Sequence, residues 1–400
     1  MQVIMLSWEY PPNVAGGLGK HVAELTPALA RRDVELHVVT PVPGAHHSVE
    51  ASEGATIHRV GVAVEHGECL TFLTEVLQVN AALEGECKRI IERSGPFDLI
   101  HSHDWLTSFA GIYLKNAFRL PLLTTIHATE RGRGRGYLPS DLSHRINDAE
   151  WRLTYEAWRV ICCAHHMAKE THSYFGTPLD KIDVIPNGVD PSRFQALDRR
   201  DLASFRARYA PDDEAIVLYV GRIVQEKGAE VLVRSVPRVL AEAPQTRFII
   251  AGKGPELQRT RQLVKQMGLS DNVLVPGFIT DEDRDRLYKV ADCAVFPSLY
   301  EPFGIVALEA MAARTPVVVS EVGGLREVVK HAETGITIYP NNPESCAWGI
   351  LHTLQHPEWT KQRVENAYRM VLTRYNWDTI AGQTVDVYQR VIGERARTEW

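Results

Sequence analysis

Two carboxylates, Glu301 and Glu309, bracket the turn Pro302-Phe303-Gly304 and the helix-forming run Ile305-Val306-Ala307-Leu308. A helix starting at or just after Gly304 leaves its first amides unpaired and carries a partial positive charge, and glycine lets a ligand approach the backbone. That is an anion site without a basic side chain, and phosphate suits it. Carboxylates beside a phosphate need a purpose. Glu301 and Glu309 are either solvated acids near a helix end or acceptors for the hydroxyls of a ribose or sugar diol. Upstream, Gly221-Arg222-Ile223-Val224-Gln225-Glu226-Lys227-Gly228 sets two cations beside a glycine turn. Arg222 could fork onto two phosphate oxygens and Lys227 act as a point charge, although the spacing is not that of a GxxxxGK[ST] phosphate loop.

Histidines form a second group. His101 and His103, in Ile100-His101-Ser102-His103-Asp104-Trp105, fall on one side of a strand by the period-two rule, and His127 closes the next apolar run. Together they read as a polar floor at neighbouring strand ends, and they lack carboxylate partners at metal-ligand spacing. The run Arg131-Gly132-Arg133-Gly134-Arg135-Gly136-Tyr137 reads as a mobile basic loop over a cleft rather than an RNA-binding tract. Asp281-Glu282-Asp283 and Asp283-Arg284-Asp285 match a metal-binding DxD pattern, but Thr280 followed by Asp283 is better read as a helix cap.

These groups need strands to hold them. Val3 to Ser7 followed by Trp8 to Gly19 and a helical pattern from His21 to Arg31 is strand, glycine loop, helix. Short apolar runs recur at Val34 to Thr40, Phe97 to Ser102, Leu120 to Ile126, Val160 to Cys163 and Ile182 to Ile185. After turn chemistry at Pro186 to Pro191 and a charged linker at Asp198 to Asp213, a second series runs from Ala215 to Ile338. Alternation of this kind predicts two α/β domains, each a parallel sheet covered by helices. The expected boundaries are 1–188 for an acceptor-binding domain, 189–375 for a donor-binding domain and 376–400 for a closing helix, with Thr379, Gln383 and Arg390 facing water. Ligands lie beyond the carboxyl ends of strands in such sheets, so two facing sheets would share one interdomain cleft. The stripe Trp151, Tyr155, Trp158 reads as core packing.

With 400 residues, 44% hydrophobic and 24% charged, and a formal charge of −6, the chain reads as globular and unsuited to nucleic acid or an anionic membrane as main partner. No apolar run approaches the ~18 residues of a membrane span. The cysteines (Cys69, Cys87, Cys162, Cys163, Cys293, Cys346) include no CxxC pair and several sit in apolar runs, so free buried thiols and a reducing, cytoplasmic compartment are expected.

Taken in order, Gly16-Gly17-Leu18-Gly19, His101-Ser102-His103-Asp104-Trp105, Asn187-Gly188-Val189-Asp190, Gly221-Arg222, Lys227-Gly228 and the Glu301/Glu309 pair resemble a family-four retaining glycosyltransferase of the GT-B fold, the group of bacterial glycogen and starch synthases and sucrose-phosphate synthase. The resemblance spans nearly the whole chain. It implies two Rossmann-like domains facing a cleft, with the last helix crossing back onto the first. It implies that Arg222 and Lys227 hold the donor diphosphate, and that Gly16, Gly17, Phe303, Gly304, Ile305 and Val306 line the donor. Gly277 and Ile279 would meet the base, Glu309 the ribose, Glu301 the donor sugar, and His103 the sugar near its anomeric carbon. His127, Glu130 and Tyr137 are assigned to the acceptor. No cofactor and no metal are implied. Within the family, the histidine motifs look most like glycogen and starch synthases. Val14 departs, standing where those enzymes carry a lysine associated with the phosphates of ADP-glucose.

The implied reaction is transfer of a hexose, glucose foremost, from a UDP- or ADP-sugar to an acceptor hydroxyl, with an α-glucan as acceptor. Alternatives are a small-molecule, lipid or polysaccharide acceptor, a GT-B epimerase or phosphorylase, and a non-catalytic sugar-nucleotide-binding protein.

Overall fold

The computed structural model describes residues 1–44, 46–62, 72–198 and 200–399. They form two units, Met1–Gly188 with the closing segment from Trp377, and Val189–Asn376.

The first unit is built on a sheet of β1 (Gln2–Leu6), β2 (Glu35–Pro43), β3 (Ser48–Ser52), β4 (Ala55–Val62), β5 (Leu99–His103), β6 (Leu122–Ile126), β7 (Arg159–Cys162) and β8 (Ile182–Val184). Their order is β3-β4-β2-β1-β5-β6-β7-β8, parallel except for the β3–β4 edge pair. Central strands β1, β5 and β6 are buried almost along their whole length, as helices on both faces require, with His101 and His103 interrupting the apolar run of β5. The β3–β4 hairpin is absent from the sequence reading. β3 (Ser-Val-Glu-Ala-Ser) is almost wholly exposed, and Thr56, His58 and Arg59 interrupt the apolar run of β4. The last helix, Trp377–Ala396, belongs to this unit: Ile380, Ala381, Val387, Tyr388 and Val391 share a core with Val3, Met5, Leu25 and Leu29. Thr379, Gln383 and Arg390 face outward as the amphipathic pattern demands.

The second unit has β9 (Ala215–Val220), β10 (Thr246–Ala251), β11 (Val273–Gly277), β12 (Cys293–Phe296), β13 (Val317–Ser320) and β14 (Ile336–Ile338), all parallel in the order β11-β10-β9-β12-β13-β14. Successive strands step outward in one direction from β9 and in the other from β12. The β9–β12 pair is therefore the switch point, where crossovers leave on opposite faces and a crevice opens above the strand ends. In the first unit the equivalent pair is β1–β5.

Several expectations change. Trp151 and Tyr155 stack on each other, but at 46% and 70% exposure they lie on the surface, not in the core. The 198–213 segment is not a bare linker, since its short helix Ala203–Arg206 buries Phe205 and Arg206. The arginine-glycine run is not an open loop: Glu130–Arg133 is a helical turn capped by Thr129, whose hydroxyl accepts from the Gly132 amide. The five described cysteines are free and buried; Cys69 lies outside the described residues. Among the described residues no helix is long and apolar enough to cross a membrane.

Candidate functional site

Two loops meet at the β9–β12 switch point of the second unit. Residues 221–228 leave β9 and residues 297–304 leave β12, and backbone bonds tie them together: the amides of Leu299 and Tyr300 both donate to the Glu226 carbonyl, at 2.7 and 3.2 Å. Gly228 makes the seam possible. Its φ is 71°, and a Cβ there would stand 2.0 Å from the Pro297 carbonyl oxygen.

The seam puts Lys227 on Glu301, Nζ to Oε2 at 2.6 Å, with both side chains largely buried. Ser298 Oγ donates to the same oxygen at 3.4 Å. Arg222 is half exposed above them, with one guanidinium nitrogen 3.6 Å from Glu226. Gly304, at φ 110°, caps the helix Ile305–Ala312, whose first intrahelical bonds come from Ala307 and Leu308 to the Gly304 carbonyl. The amides of Ile305 and Val306 thus precede the helical ladder, at the positive end of its dipole. Phe303 is buried behind them. Arg222, Lys227, Glu301 and the helix start are therefore one constellation.

A third loop was missed. Gly252-Lys253-Gly254 leaves β10 and packs so closely on the first that a Cβ on Gly252 would be 1.8 Å from the Gly221 carbonyl oxygen, while Ile223 N donates to Lys253 O. A G-x-G directly after a buried strand was the available signal. Gly277, at φ 89°, ends β11, and its carbonyl accepts from the Gly252 amide at 2.7 Å. Phe278 projects outward beneath Lys253, whose Nζ lies 5.3 Å from the ring centroid, and Ile279 is half-buried. This is an exposed apolar ledge beside the constellation.

Glu309 behaves differently. It is 1% exposed, with one oxygen 2.9 Å from Arg193 Nη2 and the other 3.3 Å from the Tyr288 hydroxyl. A carboxylate taken out of water needs such partners. The expected ribose acceptor is thus already engaged inside the unit. Asp281 and Asp283 stand in the capped first turn of the helix Asp281–Val290, Thr280 accepting from the Asp283 amide, with Arg284 on Asp281 and Asp285.

The first unit gathers the histidines. His101 is fully spoken for: Nδ1 pairs with the Tyr388 hydroxyl at 2.7 Å and Nε2 with Thr125 Oγ1 at 2.8 Å, tying β5 to the last helix and β6. His103 shares a 3.0 Å hydrogen bond between its Nδ1 and His127 Nε2, and its own Nε2 is buried without a partner. His21, from the helix Gly17–Ala30, joins them from above, its Nδ1 donating to Asn187 at 2.7 Å and its ring 4.8 Å from that of His127. Burial pushes His21, His101 and His103 far below the usual imidazole range and His127 down to about 3, with neighbouring imidazoles lowering the first three further. The same burial lifts Asp104, which caps the His127 amide, to about 6. One nitrogen each of His21, His103 and His127 could meet a metal ion, all within 4.8 Å of one another, though a neutral imidazole trio equally suits sugar hydroxyls.

The first glycine loop holds a surprise. Glu9 Oε2 accepts from the amides of Ala15 and Gly16, both at 2.9 Å, so a carboxylate of the chain folds onto the start of the loop expected to line the donor. Gly17 opens the helix behind it. Glu130 starts the next helical turn with its amide on Glu150, and Tyr137 is 79% exposed.

Comparison with known proteins bears on this geometry. Residues 15–193 match the family model described as Glycosyltransferase Family 4, and residues 203–370 match Glycosyl transferases group 1. An uncharacterized glycosyltransferase of Methanocaldococcus jannaschii is 41% identical over 97% of this chain and 98% of its own length. A glycogen synthase of Mycobacterium tuberculosis is 33% identical over 97% of this chain and 94% of its own. The structure of a sucrose-phosphate synthase from Thermosynechococcus elongatus superposes with a TM-score of 0.83 at 27% identity, covering 98% of this chain and 99% of that one.

Proposed function

The chain belongs to the family-4 glycosyltransferases of the GT-B fold, and on that premise we propose that it moves a hexose, glucose foremost, from a nucleoside diphosphate sugar to a hydroxyl of an α-glucan, with retention at the anomeric carbon. The observation that carries this reading is the seam at the β9–β12 switch point, which sets Arg222, Lys227, Glu301 and the Ile305 helix start side by side.

The bond between the sugar's anomeric carbon and the diphosphate oxygen breaks while the acceptor oxygen bonds to that carbon, and the acceptor's proton passes to the departing diphosphate. Negative charge grows on the leaving group. Preorganised donors placed where charge develops supply the largest share of such catalysis, and here they are the Arg222 guanidinium, the Lys227 ammonium and the amides of Ile305 and Val306. Without donor, Lys227 rests on Glu301. A bound diphosphate draws Lys227 toward itself and frees Glu301 for the hydroxyls of the sugar. The base lies along Gly277 to Ile279. Glu309 carries Arg193 on one oxygen and the Tyr288 hydroxyl on the other, bracing the helix Ile305–Ala312, and a carboxylate oxygen can accept a second bond, here from a ribose hydroxyl. His103, with its buried and unpartnered Nε2, is the donor-sugar contact of the first unit, and His127 sits on the acceptor side.

The test is a release assay over UDP-, ADP- and GDP-sugars with and without oligosaccharide. Nucleoside diphosphate should appear with one of them, stimulated by an α-glucan, and the product should be a longer chain with a new α-linkage. Conversion of the donor without an acceptor would point to epimerisation or hydrolysis and reject the reading.

A further inference from the structure

The second unit carries a surface that the transfer chemistry leaves unused. The helices Ala229–Glu242 and Pro343–Gln355 lie together on the core formed by Val217, Phe248 and Ile336, and their outer faces bound a depression of about 280 Å³. Glu344, Trp348, His352 and Gln355 form one stripe along the second helix, Glu242 faces them from the first, and His356 closes the far end. Beyond it Trp359 lies flat on His356, the planes within 1° and the centroids 4.7 Å apart. His352 stacks on both His356 and Trp359, and Trp348 tilts onto His352 and stacks with His331, so the rings form one cluster from Trp348 to Trp359.

Aromatic side chains of this size are normally buried, yet Trp348 is 47% and Trp359 60% exposed. Trp359 keeps 60% of its surface open although His356 and His352 both stack on it. Planar hydrogen-bonding groups rim the rings: the Glu344 carboxylate, the Gln355 amide, and Glu242 held by Arg238 at 2.7 Å. Flat apolar faces that accept C–H groups, edged by side chains able to bind adjacent hydroxyls, are complementary to pyranose rings. Acids on the rim disfavour nucleic acid and anionic lipid. The helix Pro343–Gln355 that carries the stripe is about 20 Å long.

We propose that the furrow from Glu344 to Trp359 binds a neutral oligosaccharide chain and anchors a polymeric acceptor while its end is extended elsewhere, an inference that rests on the glycan-acceptor reading above. Sugar rings lie across Trp348 and Trp359 in succession, with hydroxyls on Glu344 and Gln355.

The test uses the full chain, with affinity electrophoresis in glucan-containing gels and calorimetry against a linear α-glucan hexasaccharide. Trp348→Ala and Trp359→Ala should each weaken binding about tenfold, the loss expected when one aromatic contact of this kind is removed. The KM for long glucans should rise with it, while kcat and the KM for a disaccharide acceptor stay unchanged. Gln355→Ala, a surface change with little risk to folding, should weaken binding in the same direction. Wild-type affinity in both tryptophan variants overturns the proposal. So does loss of self-association in those variants with glycan affinity intact, which would make the patch an interface between copies of the chain. Arg222→Ala separates the two readings, since it should slow transfer by at least about 10²-fold and leave hexasaccharide binding untouched.

Discussion

Acidification should loosen the first unit well before it affects the second. His21, His101, His103 and His127 stand neutral in the native state, held below the usual imidazole range by burial, whereas in the unfolded chain they titrate near 6.5. Groups whose folded pKa is depressed bind more protons when unfolded, so stability falls as pH drops through 6.5. Asp104 acts the other way. Its carboxyl is raised from 3.8 to about 6, so its contribution grows as pH falls through 6. Between pH 7 and 5.5 the four imidazoles cost about 5 kcal/mol, while Asp104 returns a little under 1 and Glu150, its carboxyl lifted well above the usual range by burial, returns a further part, leaving a net loss of a few kcal/mol against the 5–15 typical of a whole domain. The assay is hydrogen exchange read by mass spectrometry on peptides covering β5 and β6, corrected for the intrinsic pH dependence of exchange. Protection there should fall by at least about tenfold. Peptides from β9 and β10, which hold no histidine, are the internal control and should change little. His127→Asn removes one titrating imidazole and should flatten the dependence by close to one proton. Equal protection of β5 and β6 at the two pH values would refute the idea that these imidazoles are buried and neutral.

Two further outcomes concern the donor site. Lys227→Met removes a phosphate cation and leaves the buried Glu301 with the Ser298 hydroxyl but no ammonium on its Oε2; steady-state kinetics should show kcat down by about 10² to 10³, and thermal unfolding a lower midpoint. Gly228→Ala places a Cβ 2.0 Å from the Pro297 carbonyl at a φ of 71°. Strain and forced separation of the loops should together cost at least about 3 kcal/mol in denaturant titration, and kcat/KM should fall although no charged group has changed; native stability in this variant would contradict the seam.

The alternation of apolar runs with helix-length segments was enough to expose two parallel sheets, because strands buried on both faces leave continuous apolar signatures at Val3 to Leu6 or Cys293 to Phe296. The helix start at Ile305 was legible for a similar local reason: Pro302 and Gly304 leave the chain few options before a run of strong helix formers. What escaped depends on partners distant in sequence. Nothing near Glu309 announces Arg193, and nothing in the glycine loop announces that Glu9 reaches forward onto Ala15 and Gly16. Likewise the helical spacing of Trp151 and Tyr155 is the same whether the stripe faces a core or water. Only tertiary packing decides that. The close approach of Gly252 to Gly221 sits between these cases, since the G-x-G was visible but its neighbour was not.

The account stands on leaving-group stabilisation at the β9–β12 switch point, and Arg222→Ala probes it with the least disturbance, because that side chain is half exposed. With the accepted donor sugar and a glucan primer, single-turnover release of nucleoside diphosphate should slow by at least about 10²-fold, while protection of β9 and β12 against exchange stays at the wild-type level. Release at the wild-type rate would contradict the assignment of Arg222, and with it the placing of the diphosphate between these two loops.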